Sequence, residues 1–242
     1  MRIALISDIH GNYEALTAVL QNIEAHRPDE IWCLGDVVGY GCEPAACLDL
    51  VDRTCSVKLM GNHEHAVLGL DDIDTYSPAA RVSAEWTRES LGERCLNIIR
   101  SFTLRHETES FLCIHASPYD PEQWHYILGP DEAEDAFAAY GGPLCFHGHT
   151  HVPVIFSEMP GEAPRRKEAH DFDPHPENRY LVNVGSVGQP RDNDPRACWA
   201  LFDTDEQRVE FLRVDYDISQ TQTKMTEAKL PEMLVNRLAV GR

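Results

Sequence analysis

The chain has 242 residues, 43% hydrophobic and 25% charged, enough for a single domain over residues 1–242 with one large core, and it lacks the roughly 18 consecutive apolar residues that a membrane helix needs. Its 21 Lys and Arg against 40 Asp and Glu leave a formal charge of −19 at pH 7, which excludes a general nucleic-acid binder because such a field repels a phosphate backbone. An anionic substrate would need a local reversal of that sign.

Arg2 to Ser7 and Ile31 to Leu34 are short apolar runs that meet an acid, and they read as strands flanking a helix from about Asn12 to His26. Within that helix Leu16, Val19, Leu20 and Ile23 recur at spacings of three and four, the mark of one buried face. The apolar run at the amino end is too short for a secretory signal, so a cytoplasmic protein is expected. A second unit follows, with a helix from Glu43 to Val51 and a strand from Ser56 to Met60. Strands alternating with helices predict a largely parallel α/β core. Ser77-Pro78 opens a helical pattern that runs to Arg100. Phe111 to His115 reads as strand, Asp131 to Tyr140 as helix and Leu144 to His147 as strand. The strands Val152–Phe156, Tyr180–Val184, Ala197–Phe202 and Arg208–Val214 then predict a mostly antiparallel second half. Glu158 to Asn178, rich in Pro and charge, reads as a long exposed loop, either a plain insertion or a lid. The tail from about Asp217 is weakly helical and has either the core or another subunit to pack on. The eight Cys include no Cys-x-x-Cys pair, and Cys33, Cys113 and Cys145 lie inside apolar runs. They read as core thiols in a reducing compartment, with a zinc site or a disulfide framework as the alternative.

The chemistry gathers where strands stop, the place where open α/β sheets bind ligands. Five successive strands end in Asp8-Ile9-His10, Gly35-Asp36, Gly61-Asn62-His63-Glu64, His115 and Gly148-His149-Thr150-His151. Residues one apart face opposite ways on a strand, but in a loop both members of Asp-x-His or His-x-His turn to one centre. Each motif alone is weak, whereas five in order at strand ends argue for metal-ligand chemistry.

Together these motifs resemble the calcineurin-like metallophosphoesterase superfamily, from Asp8 to His151. The segment from Val182 to Asp192, with Asn183-Val184-Gly185-Ser186, extends the likeness to its small prokaryotic members. The resemblance implies an α/β fold, a four-layer αββα sandwich around two mixed β-sheets. It also implies a site for two divalent metals. In that scheme Asp8, His10 and His151 hold one ion, Asn62, His115 and His149 hold the other, and Asp36 bridges both. A nitrogen and oxygen set without thiolate suits transition ions, Mn first, with Fe, Zn, Co or Ni as alternatives. Two such ions would supply the local reversal of sign. The family's chemistry implies attack on phosphorus by a metal-bridging hydroxide, with His63 protonating the leaving oxygen or stabilising the phosphoryl oxygens and Glu64 bracing a ligand.

Departures from the family narrow the substrate. Protein phosphatases and diadenosine tetraphosphate hydrolases of this superfamily carry a Gly-Asp-x-x-Asp-Arg-Gly-like segment, where this chain has Gly35-Asp36-Val37-Val38-Gly39-Tyr40-Gly41. Tyr40 cannot grip phosphate as arginine does, and Gly39 leaves His63 without a carboxylate partner. Met60 also stands where protein phosphatases have an Arg. Arg191 is the remaining candidate phosphate contact, unless it pairs with Asp192 or Asp194, and Tyr40 is a candidate for stacking on a leaving group. The first expectation is thus a metal-dependent phosphoric ester hydrolase, a phosphodiesterase of small phosphodiesters or nucleotide derivatives. A phosphomonoesterase or dinucleoside polyphosphate hydrolase is the alternative. A non-catalytic scaffold, like the retromer subunit that resembles this fold, is the alternative of another class. The expected partner is a small phosphorylated substrate, with neither general nucleic-acid binding nor a membrane.

Overall fold

Alternation within the strands decides the layering. In β1 (Arg2–Ile6) Ile3 and Leu5 enter one apolar cluster while Ala4 and Ile6 enter another, so the strand is buried on both faces. The computed structural model, which describes residues 1–242, places β1 in the middle of a five-stranded sheet. Its neighbours are β2 (Glu30–Cys33), parallel, and β10 (Ala197–Asp203), antiparallel. β3 (Val57–Lys58) and β11 (Arg208–Val214) form the edges.

The second sheet has six strands in the order β4 (Arg105–Glu107), β5 (Leu112–Ile114), β6 (Leu144–His147), β9 (Arg179–Asn183), β7 (Val154–Glu158) and β8 (Arg165–Glu168). Both sheets are mixed. β6 runs parallel to β5 and β9, so the antiparallel pairing expected of the second half holds for β7, β8, β10 and β11 and fails at the centre of this sheet.

The sheets face each other through Leu5, Trp32, Phe111, Phe146, Val182 and Phe202. Outside the first sheet, Ile6 and Trp199 meet α1 (Tyr13–His26), α2 (Pro44–Thr54) and α5 (Glu93–Arg100) through Leu16, Val51 and Ile99. Outside the second, Ile114, Cys145 and Phe156 meet α6 (Pro130–Ala138) through Phe137. These are the four layers that the motifs imply. The eight thiols stand unpaired, and all but Cys42 are buried.

Three segments differ from expectation. The pattern over 77–100 divides into α4 (Pro78–Ser90) and α5, because Gly92 stops one helix and begins the next. The segment 158–178 is not a plain loop: β8 pairs with β7 as an exposed edge strand, and Phe172 bridges to Val209 of the other sheet. α3 (Asn62–Val67) is a short helix inside the Gly-Asn-His-Glu motif. The tail forms α7 (Ile218–Glu227) and α8 (Glu232–Arg237) and packs on the core. Thr221 donates to Asn12 at 3.1 Å, and Lys224 pairs with Glu14 and with Glu43 at 2.7 Å. No helix is long and apolar enough to cross a membrane.

Candidate metal centre

Parallel strands point their carboxyl ends the same way, so the loops after β1, β2, β3, β5, β6 and β9 meet at one edge of the sandwich. Backbone bonds lace them together. Asp8 N–H donates to Gly35 O at 3.0 Å, His10 N–H to Asp36 O at 2.9 Å, and Gly148 N–H to His115 O at 2.9 Å. The downstream turn closes the ring: Ser186 Oγ donates to Asp8 O at 2.8 Å, and Asn183 Nδ2 to Gly148 O at 2.5 Å.

Asp8, His10 and His151 converge, with their possible ligand atoms within 4.8 Å of one another, and so do Asp36, His115 and His149. Asp36 lies between the two groups, its Oδ2 being 3.7 Å from His10 Nε2 and 3.3 Å from His115 Nε2. All six are buried. Three rings are oriented from behind, since His10, His115 and His151 each place Nδ1 against a backbone carbonyl, of Val38, Leu34 and Gln189 at 2.9, 2.8 and 2.6 Å. That fixes the proton on Nδ1 and turns the Nε2 lone pair inward, the arrangement of metal-ligating histidine.

Buried polar atoms that lack a partner mark where ions would fit. His115 Nε2, His149 Nε2 and Asn62 Oδ1 are buried without a hydrogen bond. Such atoms are costly to leave unpaired, and all three are donors in the second set the motifs imply. The electrostatics agree. Burial pushes the Asp8 carboxyl up to about 7. It also pushes His149 down to about 3 and, with the Arg191 charge adding to it, His151 well down. At Asp36 burial acts the same way as at Asp8, but the imidazoles of His115, His63 and His10 outweigh it and hold the carboxyl well below its usual range. Burial would lower His115, but the Asp36 carboxylate beside it outweighs that and pushes it up to about 9. Without ions a protonated imidazole thus stands among buried carboxyls, in the place where a cation fits.

Glu64 accepts four backbone N–H groups, from Asp36, Val37, Val38 and Gly61, at 2.7 to 3.1 Å. It ties the Asp36 loop to α3. His63 lies beside the centre, its N–H donating to Asp36 Oδ1 at 2.9 Å and its buried Nδ1 unpartnered. A side chain at Gly39 would overlap the His63 ring. Met60 is buried in the apolar core, so that position does not reach the cleft.

Beyond the centre opens a cavity of about 600 Å³, lined by Tyr40, Asn62, Tyr76, Trp124, Tyr126 and Arg191 among others. Tyr40 stands 4.4 Å from the His63 ring and 4.6 Å from His10, and the Arg191 guanidinium lies 5.5 Å from its ring centre. Neither neighbouring acid takes Arg191: Asp192 pairs with Arg213 and Asp194 with Arg196 at 2.6 Å. Sequence reasoning missed Tyr76, whose hydroxyl accepts from Asn62 Nδ2 at 3.3 Å, and Tyr126, stacked 4.1 Å from His149. It also missed Arg237 of the tail, which lines the same cavity. No motif surrounds them. His147 is buried but joins neither group, and His26, His65, His106, His125, His170 and His175 also lie outside them.

A family model described as calcineurin-like phosphoesterase matches residues 1–153. An uncharacterized protein of Methanocaldococcus jannaschii is 37% identical over 245 residues, covering 99% of this chain and 98% of that protein. The crystal structure of a metallophosphoesterase from Sphaerobacter thermophilus superposes with a TM-score of 0.88 at 43% identity, over 100% of this chain and 99% of that one. A symmetrical bis(5'-nucleosyl)-tetraphosphatase of Actinobacillus pleuropneumoniae is 26% identical over 118 residues, 46% of this chain and 43% of that enzyme.

Proposed function

Because the chain belongs to the calcineurin-like phosphoesterases, metal-dependent hydrolases of phosphoric esters, we propose that it hydrolyses small phosphodiesters or nucleotide derivatives at a two-ion centre. The observation that carries this reading is the convergence of buried Asp and His side chains at the strand ends, with His149 Nε2 and Asn62 Oδ1 beside them left without a partner. Asp8, His10 and His151 would hold one ion and Asn62, His115 and His149 the other, with Asp36 shared. Manganese suits this mixed nitrogen and oxygen set. When bound, such ions supply charge at the transferring phosphoryl group and activate water near neutral pH.

The chain's own residues do the rest. Asp36 sets the spacing of the two halves. His63, next to Asn62 and 4.4 Å from the ring of Tyr40, is positioned to protonate the leaving oxygen or to bind a phosphoryl oxygen. Arg191 is the phosphate contact, since it carries no carboxylate, and the Tyr40 ring beneath it offers a face to a base or other leaving group. With Tyr40 in place of an arginine at the centre, one guanidinium there suits a disubstituted phosphoryl group better than a dianionic monoester. The tail walls the cleft, so residues 1–242 act as one domain.

Hydrolysis of dinucleoside polyphosphates is the second reading, favoured by similarity to the tetraphosphatase. The scaffold alternative has no use for six converging buried Asp and His side chains. Metal analysis followed by a panel of diesters, monoesters and dinucleotides with Mn tests all of these. Bound metal with kcat/KM greater for a diester than for its monoester is the expected result. A clear monoester preference would overturn the diester assignment, and protein that binds no metal would favour the scaffold.

A further inference from the structure

An amide side chain has two ends of similar shape and opposite chemistry, and only its oxygen can face a cation. Asn62, the first residue of α3, therefore needs something to hold it one way round. The groups that do so lie in the segment after α3, outside every motif at the strand ends. Tyr76 Oη accepts from Asn62 Nδ2 at 3.3 Å and donates to Asp71 Oδ2 at 2.8 Å. The other oxygen of Asp71 accepts the Asp72 N–H at 3.1 Å, and Tyr76 N–H donates to Ile73 O at 3.1 Å, so both members are fixed by backbone.

The direction of these bonds follows from chemistry. A phenol keeps its proton at neutral pH and has one to give, whereas a carboxylate only accepts. Two acceptors are in reach of that proton, Asp71 Oδ2 at 2.8 Å and Asn62 O at 3.2 Å, and the charged, nearer one takes it. The Tyr76 oxygen then has only lone pairs to offer the Asn62 side chain, so it takes the NH₂ end. The Oδ1 end is left buried and without a partner. Had the hydroxyl donated to the side chain instead, the amide would be reversed and would present two N–H groups where a cation is to sit.

We propose that Tyr76, with its proton drawn to Asp71, is a positioning residue that sets which end of Asn62 faces the second ion. The inference rests on the two-ion reading above and deepens it, from which residues hold metal to what orients one of them. It also gives Asp71 a use, since an acid on the wall of a cleft for anions otherwise works against binding.

The test is calorimetric titration of the chelator-stripped full chain with Mn, which reads the two ions separately. Tyr76→Phe keeps the ring and removes the hydroxyl, and it is expected to weaken one ion by about tenfold or more while leaving the other nearly unchanged. Asp71→Ala frees the proton and is expected to weaken the same ion. The double variant should be no worse than Tyr76→Phe alone, because both changes cut one chain of bonds. Equal losses at both ions, no loss at either, or additive losses in the double variant would overturn the assignment. The Asn62 side-chain amide signals in ¹⁵N NMR of the stripped protein give a readout that needs no metal. One of the two Nδ2 protons is expected to move upfield in Tyr76→Phe as its hydrogen bond is lost. Wild-type protein that binds fewer than two ions would refute the two-ion reading, while amide signals that do not move would overturn the role of Tyr76 by itself.

Discussion

Asp8, His10, Asp36, Tyr40, His149 and His151 all sit at positive φ, between +50° and +67°, a left-handed conformation that costs a residue with a side chain on the order of 1 kcal/mol. Strain gathered at one place marks a geometry held for a purpose. It also explains how Asp-x-His and His-x-His serve one centre: extended backbone would send alternate side chains to opposite faces, and the left-handed turn brings both round. The residue types and their spacing were legible in the sequence, but no local signal marks Asp or His for positive φ, because the loops of neighbouring strands impose it. Asn tolerates that conformation as well as Asp does, so Asp36→Asn isolates the charge from the backbone. The variant is expected to lose the metal pair and more than about 100-fold in turnover, and two ions per chain with near-normal activity would refute the shared role of Asp36. His63→Ala is expected to retain metal while kcat falls by roughly 10²–10⁴-fold for a poor leaving group. The fall should be smaller with a nitrophenolate, which departs without a proton. Equal losses would assign His63 to phosphoryl charge instead, and loss of an ion would make it a ligand.

Among the elements, α3 is too short to be stable alone, and Glu64 supplies what its six residues cannot. The two carboxylate oxygens take two N–H groups each, one pair from Val37 and Val38 and the other from Asp36 and Gly61. Glu64→Gln keeps the size but replaces one oxygen with an NH₂ that faces two donors. A loss of about 3 kcal/mol is expected, or a Tm lower by roughly 6–12 °C, together with weaker metal binding. An unchanged melting curve would show that the brace is dispensable. The apolar runs were legible as strands because burial on both faces writes itself in composition, as in Leu144–His147 and Ala197–Asp203. β8, Arg-Arg-Lys-Glu, was not, since an edge strand exposed on every residue needs no apolar pattern. The tail read as weakly helical for a related reason. α7 buries only Thr221 and Met225, and the Lys224 pairs with Glu14 and Glu43 that dock it reach across 210 and 181 residues.

At the scale of the whole molecule, the −19 charge and the buried Asp8 and Asp36 act in the same direction. Both favour cations at the strand ends, and both penalise the folded chain without them. Chelation is therefore expected to lower Tm and Mn to restore it, by about 4 kcal/mol of stability when free metal is a thousandfold above its Kd. A Tm that does not respond in protein shown to be metal-free would contradict this. The long-range pairing of the first sheet has another consequence, which concerns synthesis. β1 is made long before its partner on one side, β10, with Ile3 opposite Phe202 and Leu5 opposite Ala200. While a ribosome is still extending the chain, β1 has β2 as its only neighbour and presents an open apolar edge, the kind of surface that recruits other nascent chains. A chain stopped at Arg191 should pellet where the full chain stays in solution. The order of manufacture thus runs against the order of pairing: the amino end waits nearly two hundred residues for its second neighbour, and the final shape comes late, as a closure from the far end.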